Sequence, residues 1–201
     1  MITIVDYGMG NLGSITNMFK RIGVKAIVTS DLGQIDQAEK LLLPGVGAFD
    51  KAMEAINGTG LRQVLDRKVL EQGTPVLGVC LGMQILTSGS DEGEKDGLGW
   101  IPGRACAFNT DTGLKVPHMG WNVTTPAQNN QLADGLGDDS RFYFVHSFCV
   151  QVENPDHCIF TSNYGREFAS GIQKDNIYGV QFHPEKSHKF GMKILKNFAG
   201  L

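Results

Sequence analysis

Apolar residues in the first eighty positions alternate between two textures. Short runs at 2–6, 24–29, 40–43 and 74–79 read as strands. Between them the spacing lengthens: Ile15, Met18, Phe19 and Ile22 recur at i, i+3, i+4 and i+7, and Leu61, Val64, Leu65 and Val69 mark a second helical face. Gly23 and Gly73 close these helices, and Pro44-Gly45-Val46-Gly47 ends the third strand. A helix-like stretch at 83–88 follows the fourth strand at once. Strands alternating with helices predict βαβ units and a parallel sheet.

The texture changes after residue 88. Residues 88–99, "SGSDEGEKDGLG", are acidic and glycine-rich and read as a solvated, mobile connection. Beyond them come β-rich segments at 104–108, 121–125, 142–152 and 159–162, then a strand at 177–182 and a helix carrying Phe190, Ile194, Leu195 and Phe198. The predicted architecture is α/β: a single doubly wound, mostly parallel sheet flanked by helices, with an additional antiparallel β region in the second half. No repeat divides the 201 residues, so one domain over 1–201 is expected.

Composition narrows the classes. A formal net charge of −3 with dispersed basic residues argues against a nucleic-acid surface. No apolar run is long enough to span a membrane, and no signal peptide fits over the first strand. Cys80, Cys106, Cys149 and Cys158 lack disulfide-scaffold spacing and fit free thiols in a reducing cytoplasm. The sequons at Asn57 and Asn122 are then chance matches. No set of His, Cys and carboxylates has metal-ligand spacing, so no metal is expected.

One motif suggests a cofactor. Gly8-Met9-Gly10-Asn11-Leu12-Gly13 spells G-x-G-x-x-G after the first strand, with Asp31 lying 18 positions beyond Gly13. That is dinucleotide-binding spacing. Its flanks do not fit: Asp6 and Tyr7 stand where small apolar residues belong, and a carboxylate there repels a pyrophosphate. A nicotinamide-dependent oxidoreductase would also need a substrate domain that 201 residues hardly accommodate. The stretch reads as the first β-to-α turn, its glycines allowing close strand–helix packing, and no cofactor is expected.

The chemistry concentrates elsewhere. In Gly78-Val79-Cys80-Leu81-Gly82 a buried strand runs into a cysteine flanked by glycines, and a helix begins directly after it. This is the layout of a nucleophile elbow, and a helix N-terminus favours thiolate. A base and its orienting partner are offered by His183-Pro184-Glu185. Proline holds the residue before it extended, so His183 and Glu185, at i and i+2, point to one side. Cys80 and His183 both lie just past strand ends, where open α/β sheets gather functional groups. An acyl-transfer site also needs oxyanion donors. The Leu81 N–H is the first candidate; Gly45-Val46-Gly47 is either the second or an ordinary turn. His157 and His188 read as solvated, and His118 and His146 as satisfied core or interface histidines.

With these residues assembled, the chain resembles the class I (triad) glutamine amidotransferases. Gly78-Val79-Cys80-Leu81-Gly82-Met83-Gln84 matches the family's G-x-C-x-G-x-Q motif and "FHPE" its second, and the likeness covers essentially the whole chain. "PGVGAFDKAM", "VPHMGWN" and "FYFVHSF" resemble the branch whose glutaminase subunit feeds a cyclase in histidine biosynthesis. The glutaminase subunit of another synthase, such as pyridoxal phosphate synthase, is the alternative, disfavoured by "VPHMGWN". The resemblance implies a catalytic triad of Cys80, His183 and Glu185 acting on L-glutamine. It implies that Gln84 holds the substrate's amino-acid end, that Gly47 lines the pocket, and that His146, Ser147 and Phe148 give backbone contacts. It further implies a heterodimer with a (β/α)₈ cyclase that receives the ammonia, with Asn11, Trp121, Tyr143 and Lys186 facing that partner. Low glutaminase activity of the isolated chain is expected, because the two glycines at 45 and 47 allow an oxyanion donor to be misplaced at rest.

Overall fold

The computed structural model describes residues 1–109 and 113–201. Its first half supplies β1 (Ile2–Val5), β2 (Ala26–Thr29), β3 (Lys40–Leu43) and β4 (Val76–Val79). The second half supplies β5 (Gly103–Ala107), β6 (His118–Val123), β7 (Thr125–Pro126), β8 (Arg141–His146), β9 (Phe148–Val152), β10 (Cys158–Tyr164), β11 (Arg166–Lys174) and β12 (Ile177–Val180). Strands β2-β1-β3-β4-β12 are parallel and form the centre. The antiparallel region continues the same sheet through β12-β11-β10-β7, with β9 and β5 branching from β11. Among the described residues only β6 and β8 stand apart, as a two-stranded sheet.

Strands β1, β3, β4 and β12 are largely apolar and buried because both of their faces are covered, whereas β2, at the sheet's edge, is partly exposed. Successive side chains point to opposite faces, so Leu41 and Leu43 enter one core while Leu42 enters the other. One face is covered by α1 (Leu12–Arg21), through Ile15 and Phe19, and by α6 (His188–Gly200), through Ile194, Leu195 and Phe198. The opposite face is covered by α3 (Phe49–Gly58) and α4 (Leu61–Asp66), with the short α2 (Leu32–Asp36) beside them. Removing a fully buried ring such as Phe198 costs about 3–5 kcal/mol. The two predicted helical faces are thus core faces.

Helix α1 begins where Asn11 accepts the Ser14 N–H. It ends as the Val24 N–H reaches back to the Phe19 carbonyl, with Gly23 at φ 74°. The glycine motif therefore flanks a capped helix, but its three glycines do different jobs. A Cβ on Gly10 would lie 2.7 Å from Pro44 Cβ, whereas one on Gly13 would meet nothing within 4 Å. Close packing applies to Gly10 and not to Gly13.

Several expectations are corrected. The helix expected at 83–88 is a single turn, α5 (Leu81–Gln84). The carbonyls of Ile85, Leu86 and Thr87 are taken by the N–H groups of Leu98, Trp100 and Gly99, which stops helical propagation. Nor is the 88–99 segment a free connection. Asp50 accepts the Glu94 and Lys95 N–H groups, Arg104 pairs with Asp91, and Arg62 donates to the Leu98 carbonyl. The expected β-rich run at 142–152 is two strands, β8 and β9, parted at Ser147, and β11 lies in a stretch where no strand was expected. Among the described residues no helix is long and apolar enough to cross a membrane.

Candidate active site

Strands β4 and β12 are neighbours with Val79 opposite Val180, so their C-terminal ends open together. Cys80, the next residue after β4, donates its N–H to Val180 and adopts φ 56°, ψ −110°. A positive φ in a non-glycine residue holds roughly 1–3 kcal/mol of strain. The surroundings enforce it. A Cβ on Gly82 would lie 1.9 Å from the Leu43 carbonyl oxygen, one on Gly78 would lie 2.4 Å from the Gly82 oxygen, and one on Gly45 would lie 2.5 Å from the Gly82 nitrogen. Glycines before and after the cysteine, and in the loop after β3, let three backbone segments touch behind it. The cysteine side chain is left to point out of the turn.

His183 follows β12 and is extended, as the proline after it requires. Its Nδ1 lies 2.8 Å from Glu185 Oε1. Strand alternation is not what brings them together: Glu185 sits in a 3₁₀ turn, Pro184–Lys186, that folds back under the ring. The His183 N–H donates to the Tyr143 carbonyl, and Ser187 Oγ donates to the His183 carbonyl. These bonds tie His183 to β8. Burial disfavours charge on His183, but the neighbouring Cys80 and Glu185, the latter hydrogen-bonded to Nδ1, outweigh it, pushing the imidazole up to about 9. The second ring nitrogen, Nε2, and the second carboxylate oxygen, Glu185 Oε2, are buried without a hydrogen-bond partner among the described residues.

Cys80 and His183 line one cleft of about 320 Å³, together with Gly47, Leu81, Gln84, His146, Ser147 and Phe148. Larger hollows of about 590 and 380 Å³ lie around Asn129 and Arg166, outside this chemistry. Leu81 opens α5, so its N–H has no intrahelical carbonyl to pair with and is available to an oxyanion. Gly47, at φ 111°, and Val46 form the facing wall. Gln84 spends its amide nitrogen on the Phe148 carbonyl and on Gln181 Oε1, leaving its own oxygen as the atom free to meet a ligand. A small polar substrate can be held between these walls with a carbonyl beside the sulfur.

Three residues at the site were not singled out by the sequence. Glu92, from the acidic segment, lines the cleft and accepts the Phe49 N–H. Gln181 donates to Cys80 Sγ over 3.8 Å, and the thiol points toward the Val145 carbonyl at 3.9 Å. Tyr7 is buried with its hydroxyl donating to the Pro44 carbonyl, at the base of the Gly45–Gly47 loop. Burial and then the nearby Cys80 charge push its phenol far above the ordinary value. Only the "DY" flank of the glycine motif hinted that something other than a cofactor lay there.

Away from the cleft, Trp121, Tyr143, Lys186 and His188 share one surface. Trp121 is 48% exposed, stacks on His188 at 5.3 Å and meets Tyr143 edge-on at 6.2 Å. Lys186 Nζ lies 5.6 Å over the Tyr143 ring. His188 is exposed as expected, yet it is also a stacking partner; His157 is half-buried rather than solvated. Asn11 is exposed, but its side chain already serves as the cap of α1. His118 and His146 are satisfied core histidines. Among the described residues no cluster of three His, Cys, Asp or Glu could hold a metal ion.

Similarity to known proteins agrees with this geometry. Residues 3–200 match the model of the family described as glutamine amidotransferase class-I. A HisH subunit of imidazole glycerol phosphate synthase from Methanococcus maripaludis is 52% identical over 198 residues, 98% of each chain. One from Bdellovibrio bacteriovorus is 48% identical over 202 residues, 99% of each chain. Among solved structures, a chain of PurLQS from Thermotoga maritima superposes with a TM-score of 0.75 at 16% identity, covering 99% of this chain and 97% of its own. At that identity the likeness concerns the fold alone.

Proposed function

The chain belongs to the class-I glutamine amidotransferases, and we propose that it is a glutaminase subunit that hydrolyses L-glutamine for a synthase of histidine biosynthesis. One observation carries the catalytic part: the strained Cys80 elbow and the His183–Glu185 pair end adjacent strands and open on one cleft. Residues 1–201 act as one amidotransferase domain.

Cys80 Sγ attacks the carboxamide carbon, and the carbonyl oxygen becomes an oxyanion facing the Leu81 N–H. His183, held by Glu185 and protonated at Nε2, gives its proton to the leaving nitrogen, so ammonia departs and a thioester remains. His183 then takes a proton from water, which attacks the thioester; glutamate leaves and the thiolate is restored. Gln84, Gly47 and the backbone of His146, Ser147 and Phe148 hold the substrate. Glu92 is the carboxylate placed to take the α-ammonium, since Glu185 is committed to the imidazole.

The relatives are named as subunits of imidazole glycerol phosphate synthase, which supports a partner subunit; that partner is, on the sequence resemblance, a (β/α)₈ cyclase that consumes the ammonia in a cytoplasmic heterodimer. Trp121, Tyr143 and Lys186 form the surface suited to it, with Asn11 on the neighbouring α1, which packs against residues 184–186. Glutaminase activity is low in the isolated chain and rises when the partner holds its own substrate. The test is co-purification with such a cyclase, followed by glutamate release with and without the cyclase ligand. Equal rates for wild type and Cys80→Ala would overturn the catalytic reading; high activity of the isolated chain would overturn the dependence on the partner.

A further inference from the structure

His118 and His146 stand opposite each other across β6 and β8, and their rings are joined, Nδ1 of His118 to Nε2 of His146, at 2.9 Å. The direction of this bond follows from the atoms at either end. His146 Nδ1 lies 2.7 Å from the Phe148 carbonyl, which can only accept, so that nitrogen carries the proton. His146 Nε2 is then an acceptor, and His118 Nδ1 must donate to it. His118 Nε2 in turn accepts from Asn122 Nδ2 at 3.2 Å. The Asn122 amide is itself oriented: Nδ2 also donates to the Asn163 carbonyl, and Oδ1 accepts the Val123 N–H.

Every donor in this chain therefore points toward the cleft. Burial keeps both rings neutral, holding His118 down at about 4 and His146 at about 3. The Phe148 carbonyl where the chain ends is the one that also accepts from Gln84 Nε2, and Gln84 continues to Gln181 and so to the Cys80 sulfur. Both residues that the chain reaches, His146 and Phe148, line the cleft; His118 and Asn122 do not.

We infer that His118 is a positioning residue for glutamine: by donating to His146 Nε2 it holds that ring in place and so fixes the Phe148 carbonyl and the Gln84 amide that face the substrate's amino-acid end. This rests on the reading of the cleft as the glutamine site. Without the donated proton, His146 Nε2 is a buried acceptor left unpaired, and the ring, held by the Phe148 bond alone, shifts with that wall.

The His118 ring is stacked between Phe144 at 4.9 Å and Tyr164 at 4.1 Å, so packing and proton donation can be separated. His118→Phe keeps the stack and removes the donor; His118→Asn loses the stack and keeps a donor near the Nδ1 position. The probes are 6-diazo-5-oxo-L-norleucine, which carries glutamine's amino-acid end, and iodoacetamide, which does not, each reacted at Cys80 with the cyclase partner and its ligand present. For His118→Phe the expected half-saturating concentration of the norleucine probe rises about tenfold with the limiting rate within about twofold. Iodoacetamide rates stay at the wild-type value, and His118→Asn restores saturation close to wild type. An unchanged half-saturation in His118→Phe, or the reverse order of the two variants, overturns the inference. Failure of the norleucine probe to label wild-type Cys80 overturns the glutamine-site reading itself, and is seen without any variant.

Discussion

His183 Nδ1 and Glu185 Oε1 meet at 2.8 Å in a site that leaves the two side chains only 1% and 2% exposed. The carboxylate can only accept, so the bond fixes the proton on Nδ1 and turns Nε2 toward the cleft. In the proposed mechanism an imidazole oriented in this way exchanges a proton with the cysteine and the leaving nitrogen. The pair also makes the protonated ring the favoured form, with measurable consequences.

The imidazole is raised to about 9 in the folded chain from an ordinary value near 6.5. The folded state therefore holds this proton more tightly than the unfolded state. Its stabilising contribution is fully present below pH 6.5 and is lost as pH rises from there through about 9. The contribution is at most roughly 3 kcal/mol. Urea denaturation of wild type should lose stability over this window relative to His183→Gln, in which the component is missing. A difference between the two proteins that stays constant across the window would contradict the assignment. Because Cys80 is one of the groups raising the ring, the His183 NMR titration midpoint should fall in Cys80→Ala.

Glu185→Gln keeps the size of the side chain and removes the charge. The amide can present either an acceptor or a donor to Nδ1, so the tautomer is no longer enforced and the imidazolium loses its partner. The expected loss in glutaminase kcat is about 10²–10⁴-fold, with KM for glutamine little changed. A loss confined to KM would place Glu185 in substrate binding instead.

How far the sequence reaches is clearest at Cys80 and Glu92. Elbow chemistry is local: a strand, a cysteine and glycines at i−2 and i+2 are contiguous, and the backbone that needs those glycines belongs to adjacent strands. His183 and Glu185 were equally readable, although a turn and not strand alternation joins them. Glu92 was hidden because its segment is polar and rich in glycine, the texture of a solvated loop. What holds that segment down comes from far along the chain: Asp50 capping residues 94 and 95, and Arg62 binding the Leu98 carbonyl. Strand β11 was missed for a related reason. Burial does not alternate along it, with Ser170, Gly171 and Ile172 buried in succession, so no period of two marked it in the sequence.

The glycines of the two motifs should behave in opposite ways. Gly82→Ala puts a methyl group 1.9 Å from a backbone oxygen that cannot move without disturbing β3, and should destabilise the chain by about 3 kcal/mol or more. Gly13→Ala, in the first turn of α1 with nothing within 4 Å, should stabilise it by about 0.5–1 kcal/mol. Thermal denaturation of both variants decides this. Destabilisation by Gly13→Ala would show that the third glycine of G-x-G-x-x-G has a packing role after all.

Glu92 has two roles to separate. Helix α3 starts at Phe49 with Ala48 as its cap residue, which offers no side-chain acceptor, and Glu92 supplies one from 43 positions away. It also lines the cleft, where its charge suits an α-ammonium. Glu92→Gln retains an oxygen for the Phe49 N–H and removes only the charge, so KM for glutamine should rise about tenfold while the melting temperature stays at the wild-type value. Glu92→Ala removes the acceptor as well and should add a stability loss of about 1 kcal/mol. If Glu92→Gln left KM unchanged while Glu92→Ala still lowered stability, the residue would be a distant helix cap and nothing more, and the substrate's amino group would have to be held by backbone carbonyls alone.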